Sequence, residues 1–322
     1  MSELAGALIG GDRRALARAI TLVESTRADH REEASALLTE VLPATGGSVR
    51  VGVSGTPGSG KSTFIEALGL QLLGAGHRVA VLAVDPSSTQ SGGSILGDKT
   101  RMEQLTRAED AFVRPSPTGG TLGGVARRTR EALLLCEAAG FDVVLVETVG
   151  VGQSEVAVAG MVDCFVVVLA PGGGDELQGI KRGIMELADI VAVNKADGEL
   201  ASAAHQAAAD VASALHLLRP RSRAWTPTVL ECSALERRGI DEVWATIQRF
   251  GDALGSEIES RRAAQARDWM WSEVSETLLA SLRADENVAK LVPELEDAVT
   301  EGRLAPSAAA QRLLEAFRGE RP

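Results

Sequence analysis

Seven short apolar runs, each separated from the next by a segment of helical character, organise the middle of this chain. They are "VRVGVS", "RVAVLAVD", "AFVRP", "DVVLVE", "DCFVVVLA", "DIVAVN" and "TVLEC". Each is apolar along its length rather than at alternate positions. A strand of that kind is covered on both faces, which is the condition of a parallel sheet clothed by helices. The expected fold is therefore α/β, a doubly wound and mainly parallel sheet. Aromatic residues make up only 3% of the chain, with no Tyr, against 45% hydrophobic residues in all, so the core should be aliphatic. Ligands on such sheets lie at the carboxyl ends of the strands, and the polar motifs of this chain follow those ends.

The flanks have a different character. Residues 1–45 should form a helical amino-terminal extension. "RRALARAITLVES" places Leu16, Ala19, Ile20 and Val23 on one face, and a second helix, "HREEASALLTEVL", stops at Pro43 before the linker "ATGGS". Residues 46–250 then hold the sheet domain. Residues 251–322 read as a helical region for dimerisation, with Met270, Val274, Leu278 and Leu282 on one stripe, which could instead pack on the chain's own sheet domain, and breaks at Pro293 and Pro306.

Composition excludes several classes. The net charge of -11 weighs against nucleic acid or an anionic membrane as partner. The pair Arg127-Arg128 reads as a solvated helix face. No run approaches the roughly 20 apolar residues that span a bilayer. "MSELAGALIGGDRRALARAI" has early charges and no long apolar stretch, so a soluble cytoplasmic protein is expected. Cys136, Cys164 and Cys232 sit in apolar segments at no metal or redox spacing and should be buried thiols.

The first strand runs into "GTPGSGKST", which matches G-x-x-x-x-G-K-S over Gly55 to Ser62 and opens an apolar helix. Strand, loop and helix in that order make a phosphate-binding P-loop. Gly55, Gly58, Ser59 and Gly60 let backbone N–H groups converge on phosphate oxygens. Lys61 reaches the outer phosphates, Ser62 offers its hydroxyl to Mg²⁺, and Thr63 follows at the helix start. An acid at the end of another strand should complete the metal site. "DVVLVETVGVGQSE" supplies Glu147 and, three residues on, Gly150, whose N–H would meet the γ-phosphate. Glu stands where Asp is usual, which leaves direct contact with the metal or contact through water open. Asp85, at the end of "RVAVLAVD", could join the Mg²⁺ shell through water. Asp98 could orient a water or close on the metal, or could instead cap the helix near Lys99. Lys61, Asp98, Glu147 and Gly150 are thus the candidate catalytic set, and Ser62, Asp85 and Glu147 the metal set.

"DIVAVN" runs into Asn194-Lys195-Ala196-Asp197, the guanine-reading N-K-x-D pattern. Asp197 would accept from guanine N1–H and the 2-amino group. Adenine lacks those donors and would leave the carboxylate unpaired, at a cost of about 1–3 kcal/mol. The Lys195 stem would lie along the base, and Asn194 would brace the phosphate loop. After the last strand, Ser233, Ala234 and Leu235 can offer a backbone N–H to guanine O6. The nucleotide expected is GTP/GDP.

With these residues in view, the chain resembles the MeaB/ArgK family of P-loop GTPases, the methylmalonyl-CoA mutase-associated GTPases, over nearly its full length. "AVDPSS", "TLGG" and "ETVGVGQSE" are the specific elements of that resemblance. The resemblance implies a homodimer through the carboxyl-terminal helices. It also implies a GTP-dependent chaperone that gates adenosylcobalamin loading and protects methylmalonyl-CoA mutase. Val151 follows the switch glycine where Ras-like enzymes place a water-orienting Gln, and Gln153 lies two further on, so slow intrinsic hydrolysis is expected. Two other classes compete: a kinase accessory to lysine, arginine and ornithine transport, and a metallochaperone GTPase, whose Cys or His cluster this chain lacks. "TGGTLGGVARR" reads as a loop leading into a helix, or as a contact surface that shifts with the nucleotide.

Overall fold

The computed structural model of the protein describes residues 1–25, 27–84, 102–115, 122–148, 154–172 and 182–319. Seven strands form one sheet: β1 (Val49–Gly55), β2 (Val79–Val84), β3 (Ala111–Arg114), β4 (Val143–Thr148), β5 (Cys164–Leu169), β6 (Ile190–Val193) and β7 (Thr228–Glu231). Their spatial order is β3-β2-β4-β1-β5-β6-β7, and every adjacent pair is parallel. All seven apolar runs are strands, and the doubly wound parallel sheet is as expected. The chain leaves β1 toward one edge, returns through β4 and then builds the other edge. The loop after β1 therefore sits where the strand order reverses, the usual place for a ligand crevice.

Alternate residues of each strand enter two separate cores. On β2, Val79 and Val81 pack on one face with the helices α4 (Lys61–Gly74) and α10 (Ile240–Leu254), while Ala80, Leu82 and Val84 pack on the other. That second face is covered by α6 (Leu122–Ala138), with α1 (Glu3–Ile9), α2 (Arg13–Glu24) and α3 (Ala28–Val41) sharing the same cluster. The expected stripe of α2 is buried, and Asp12 caps its first turn by accepting from Arg14 N and Ala15 N. Helix α1, capped by Ser2, lies within the expected helical extension, although seven residues give too few periods to read by themselves.

Between these lie α5 (Glu103–Arg107), α7 (Ser154–Ala159), α8 (Arg182–Leu187) and α9 (Ala201–Leu215), and the chain continues through α11 (Glu257–Ala284), α12 (Glu286–Thr300) and α13 (Pro306–Arg318). The chain divides into two compact units, Met1–Gln265 and Ala266–Pro322. In the second, α12 and α13 pack together and bury Val288, Leu295, Ala298 and Ala309. Pro306 opens α13 as a first-turn residue. Pro293 does not break its helix: it lies inside α12, where burial of Leu295 and Ala298 offsets the one lost backbone bond.

The arginine pair also departs from expectation. Arg128 is buried, and the Arg127 guanidinium lies 3.6 Å from Glu131 one turn along α6. The amino-terminal helices cover this face, which the local sequence around 127 could not reveal. The three cysteines are free and buried as expected.

Candidate nucleotide-binding site

The phosphate loop closes on itself through its lysine. Lys61 Nζ donates to the carbonyls of Gly55 and Thr56, at 2.9 and 3.1 Å, so the ammonium lies over the loop that precedes it. Two glycines are dictated by close approach. A Cβ on Gly55, at φ 152°, would lie 2.0 Å from the Val168 carbonyl oxygen of β5. A Cβ on Gly60, at φ 86°, would lie 2.7 Å from Asn194 Nδ2. Gly58 has φ 80° in the turn, and Ser59 N–H closes it by donating to the Thr56 carbonyl. Helix α4 then begins at Lys61, with Ser62 and Thr63 in its first turn, so its amino-terminal end adjoins the loop.

Of the three residues expected to hold a metal, Ser62 and Glu147 are brought together. In the ladder, Glu147 of β4 lies beside Val53 of β1 and Ala83 of β2, which brings it next to the loop that β1 feeds. Ser62 Oγ donates to Glu147 Oε1 at 2.9 Å, and Glu147 is buried. A hydroxyl and a buried carboxylate, both hard oxygen donors, suit Mg²⁺. When bound there, the ion would neutralise charge on the phosphates. At the same strand ends Thr148 Oγ1 donates to Ser54 Oγ at 2.7 Å and ties β4 to β1. Sequence motifs do not single out that pair, since a hydroxyl at a strand end carries none. Asp85, Asp98, Gly150, Val151 and Gln153 lie outside the described residues.

On the far side of β1, Asn194 links three segments. Its Nδ2 donates to the Ser59 carbonyl and its Oδ1 accepts from Ala234 N, each at 2.9 Å. One buried amide thus holds the phosphate loop against the turn after β7. Cys232 lies alongside, its thiol pushed up to about 12 by burial and hence neutral. Lys195 takes the left-handed conformation, φ 61°, and turns the chain sharply toward Asp197. Asp197 Oδ1 is buried with no hydrogen-bond partner among the described residues. A buried carboxylate oxygen without a donor is costly, and the N1–H and 2-amino group of a guanine base are donors of the kind that would satisfy it. Ser233 is buried, and Leu235 is 78% exposed beyond it.

A P-loop, a strand-end acid on its hydroxyl and an N-K-x-D turn on a doubly wound parallel sheet define a P-loop nucleotide-binding protein of the guanine-reading class. Comparison with known proteins narrows this. Residues 16–287 match the family described as methylmalonyl Co-A mutase-associated GTPase MeaB, and the chain belongs to that family. A putative GTPase of Caulobacter vibrioides is 58% identical over 312 residues, covering 96% of this chain and 95% of its own. The mouse methylmalonic aciduria type A homolog, mitochondrial, is 50% identical, with 97% of this chain and 78% of its own covered. Among solved structures, a LAO/AO transport system kinase superposes with a TM-score of 0.77 at 42% identity, covering 98% of this chain and 97% of that one.

Proposed function

We propose that this GTPase is a GTP-dependent chaperone of adenosylcobalamin-dependent methylmalonyl-CoA mutase, gating cofactor loading and protecting the mutase from inactivation. The observation that carries the nucleotide half is the buried Asp197 oxygen, without a donor among the described residues, presented on a turn that Asn194 locks to the phosphate loop. The Ser62–Glu147 pair supports Mg²⁺ as the accompanying ion. The client half is supported by the family to which the chain belongs.

In this reading Lys61 leaves the loop carbonyls for the outer phosphates of GTP, and Glu147 releases the Ser62 hydroxyl to the metal. Hydrolysis is slow in isolation, because Val151 stands where a water-orienting Gln would be. The client orders the site and stimulates turnover, and each tenfold in rate corresponds to about 1.4 kcal/mol of barrier. Coupling of binding energies is reciprocal, so GTP and GDP forms differ in their grip on the mutase. Pairing of two chains through residues 251–322 completes the reading.

The test is a GTPase assay with and without the mutase, paired with mutase binding in GDP and in a non-hydrolysable GTP analogue. Stimulation and nucleotide-dependent binding are expected. No rate change together with no nucleotide-dependent binding rejects the chaperone and favours a transport-associated kinase, the role for which the solved relative is named.

A further inference from the structure

The turn after β7 does more than receive Asn194. Ser233 and Arg238 form a two-way backbone bridge, Ser233 N to Arg238 O at 2.9 Å and Arg238 N to Ser233 O at 3.0 Å. Inside it, Glu236 N donates to Ser233 Oγ at 3.1 Å. From the end of this small hairpin the Arg238 side chain reaches back across 42 residues and donates through Nη2 to the Ala196 carbonyl. Its other nitrogen, Nη1, lies 3.3 Å from the Glu236 carboxylate, which aims the guanidinium.

That carbonyl belongs to the peptide immediately before Asp197. The preceding peptide is held as well, by Ala196 N–H donating to the Cys232 carbonyl at 3.0 Å. Both peptide planes around Ala196 are therefore pinned to the β7 turn. Asp197 itself precedes a short 3₁₀ turn, Gly198–Leu200, yet its side chain makes no capping bond there. An Asp in that place ordinarily spends its carboxylate on the turn's N–H groups. Here Oδ1 is buried and lacks a donor among the described residues. With no capping bond to orient it, the carboxylate takes its direction from the backbone on either side, and on the amino-terminal side the outer tether is Arg238.

We infer that Arg238 is a positioning residue for base selectivity: by holding the Ala196 carbonyl it aims the Asp197 carboxylate at the donors of guanine. The inference rests on the reading of Asp197 as the guanine acceptor. The Arg238 side chain is 60% exposed, so its truncation opens no core cavity. Lysine at this position keeps the charge but not the planar fork that serves Ala196 and Glu236 together.

The experiment measures binding of fluorescently labelled GDP, IDP and ADP to the full chain with Mg²⁺, for the wild type, Arg238→Ala and Arg238→Lys. IDP keeps the phosphates, O6 and N1–H of GDP but lacks the 2-amino group, so the GDP-to-IDP affinity ratio reads the second bond that a well-aimed Asp197 makes. The wild-type ratio should be roughly tenfold or more, the worth of one hydrogen bond to a charged group. In Arg238→Ala it should fall to within about threefold, GDP losing more than IDP because IDP offers Asp197 only N1–H, and Arg238→Lys should lie between. A general loosening of the fold would weaken GDP and IDP alike and leave the ratio intact. An unchanged ratio in Arg238→Ala, or in Arg238→Lys should the alanine variant not fold, overturns the inference while leaving the guanine assignment in place. A wild type that does not prefer GDP over IDP removes that assignment, and the inference with it.

Discussion

Asn194 serves more of the site than its place in a base-reading motif suggests. Its amide accepts from the β7 turn and donates to the phosphate loop, both in buried surroundings. Asn194→Ala would leave the Ser59 carbonyl and the Ala234 N–H without their partner, at about 1–3 kcal/mol each. Thermal unfolding of the nucleotide-free chain should therefore shift downward by several degrees; an unshifted midpoint would show that the bridge contributes nothing. Lys61 and Glu147 should separate by chemistry. Lys61→Ala should weaken GDP and GTP binding at least tenfold, since a bond to a charged group contributes about 1.5–3 kcal/mol. Glu147→Ala should mainly raise the Mg²⁺ concentration needed for hydrolysis. Titration of Mg²⁺ against hydrolysis rate checks this, and an unchanged curve would reject Glu147 as part of the metal site. Asp197→Asn reverses one hydrogen-bond demand and should move preference from GTP toward XTP, read by competition.

At the scale of elements, the sheet's amino-terminal ends are tied by ion pairs as well as by apolar contact. Arg50 of β1 donates twice to the Glu137 carboxylate of α6 at 2.8 Å, and Ser48 and Gly46 donate to the same group. Arg262 of α11 holds the Asp163 carboxylate and the Gly46 and Ser48 carbonyls. Burial would raise the Glu137 carboxyl, but the Arg50, Ser48 and Gly46 bonds together bring it below the ordinary glutamate range. A carboxylate with a depressed folded value stabilises the protein above its unfolded value and loses that contribution as pH falls through the folded one. Glu137→Gln should thus cost about 3–5 kcal/mol at pH 7, as removal of one partner from a buried ion pair does. The difference from wild type should hold down to the ordinary glutamate range and shrink below it. Urea unfolding at a series of pH values checks both size and direction; a difference that grows on acidification contradicts the account.

At the scale of the whole molecule, the second unit leaves Met270, Trp271, Val274, Leu278 and Leu279 of α11 substantially exposed. An exposed apolar stripe of this kind commonly marks a protein interface, and pairing with a second copy is the occupant proposed above. Light scattering at micromolar concentration should give a dimer, and Trp271→Glu combined with Leu278→Glu should give a monomer that still binds GDP. A monomeric wild type rejects the idea. No helix of the described residues is long and apolar enough to cross a membrane.

Much of this protein was legible in the order of its residues. Strand identity follows from unbroken apolar runs, because a strand buried on both faces must be apolar at every position. The nucleotide motifs are equally local: Gly55, Gly60 and Lys61 act within one short loop, and Asn194 to Asp197 within one turn. What tertiary structure alone decided are relations across long separations. Arg128 is buried because α1–α3 and α6 share one core, whereas its neighbours in sequence suggest an exposed face. Pro293 is tolerated because the apolar side of α12 is packed. Arg238 meets Ala196, and Thr148 meets Ser54, only when parallel strands bring their carboxyl ends together. Propensity and periodicity act over a few residues, whereas burial and hydrogen-bond partnership are properties of the assembled sheet.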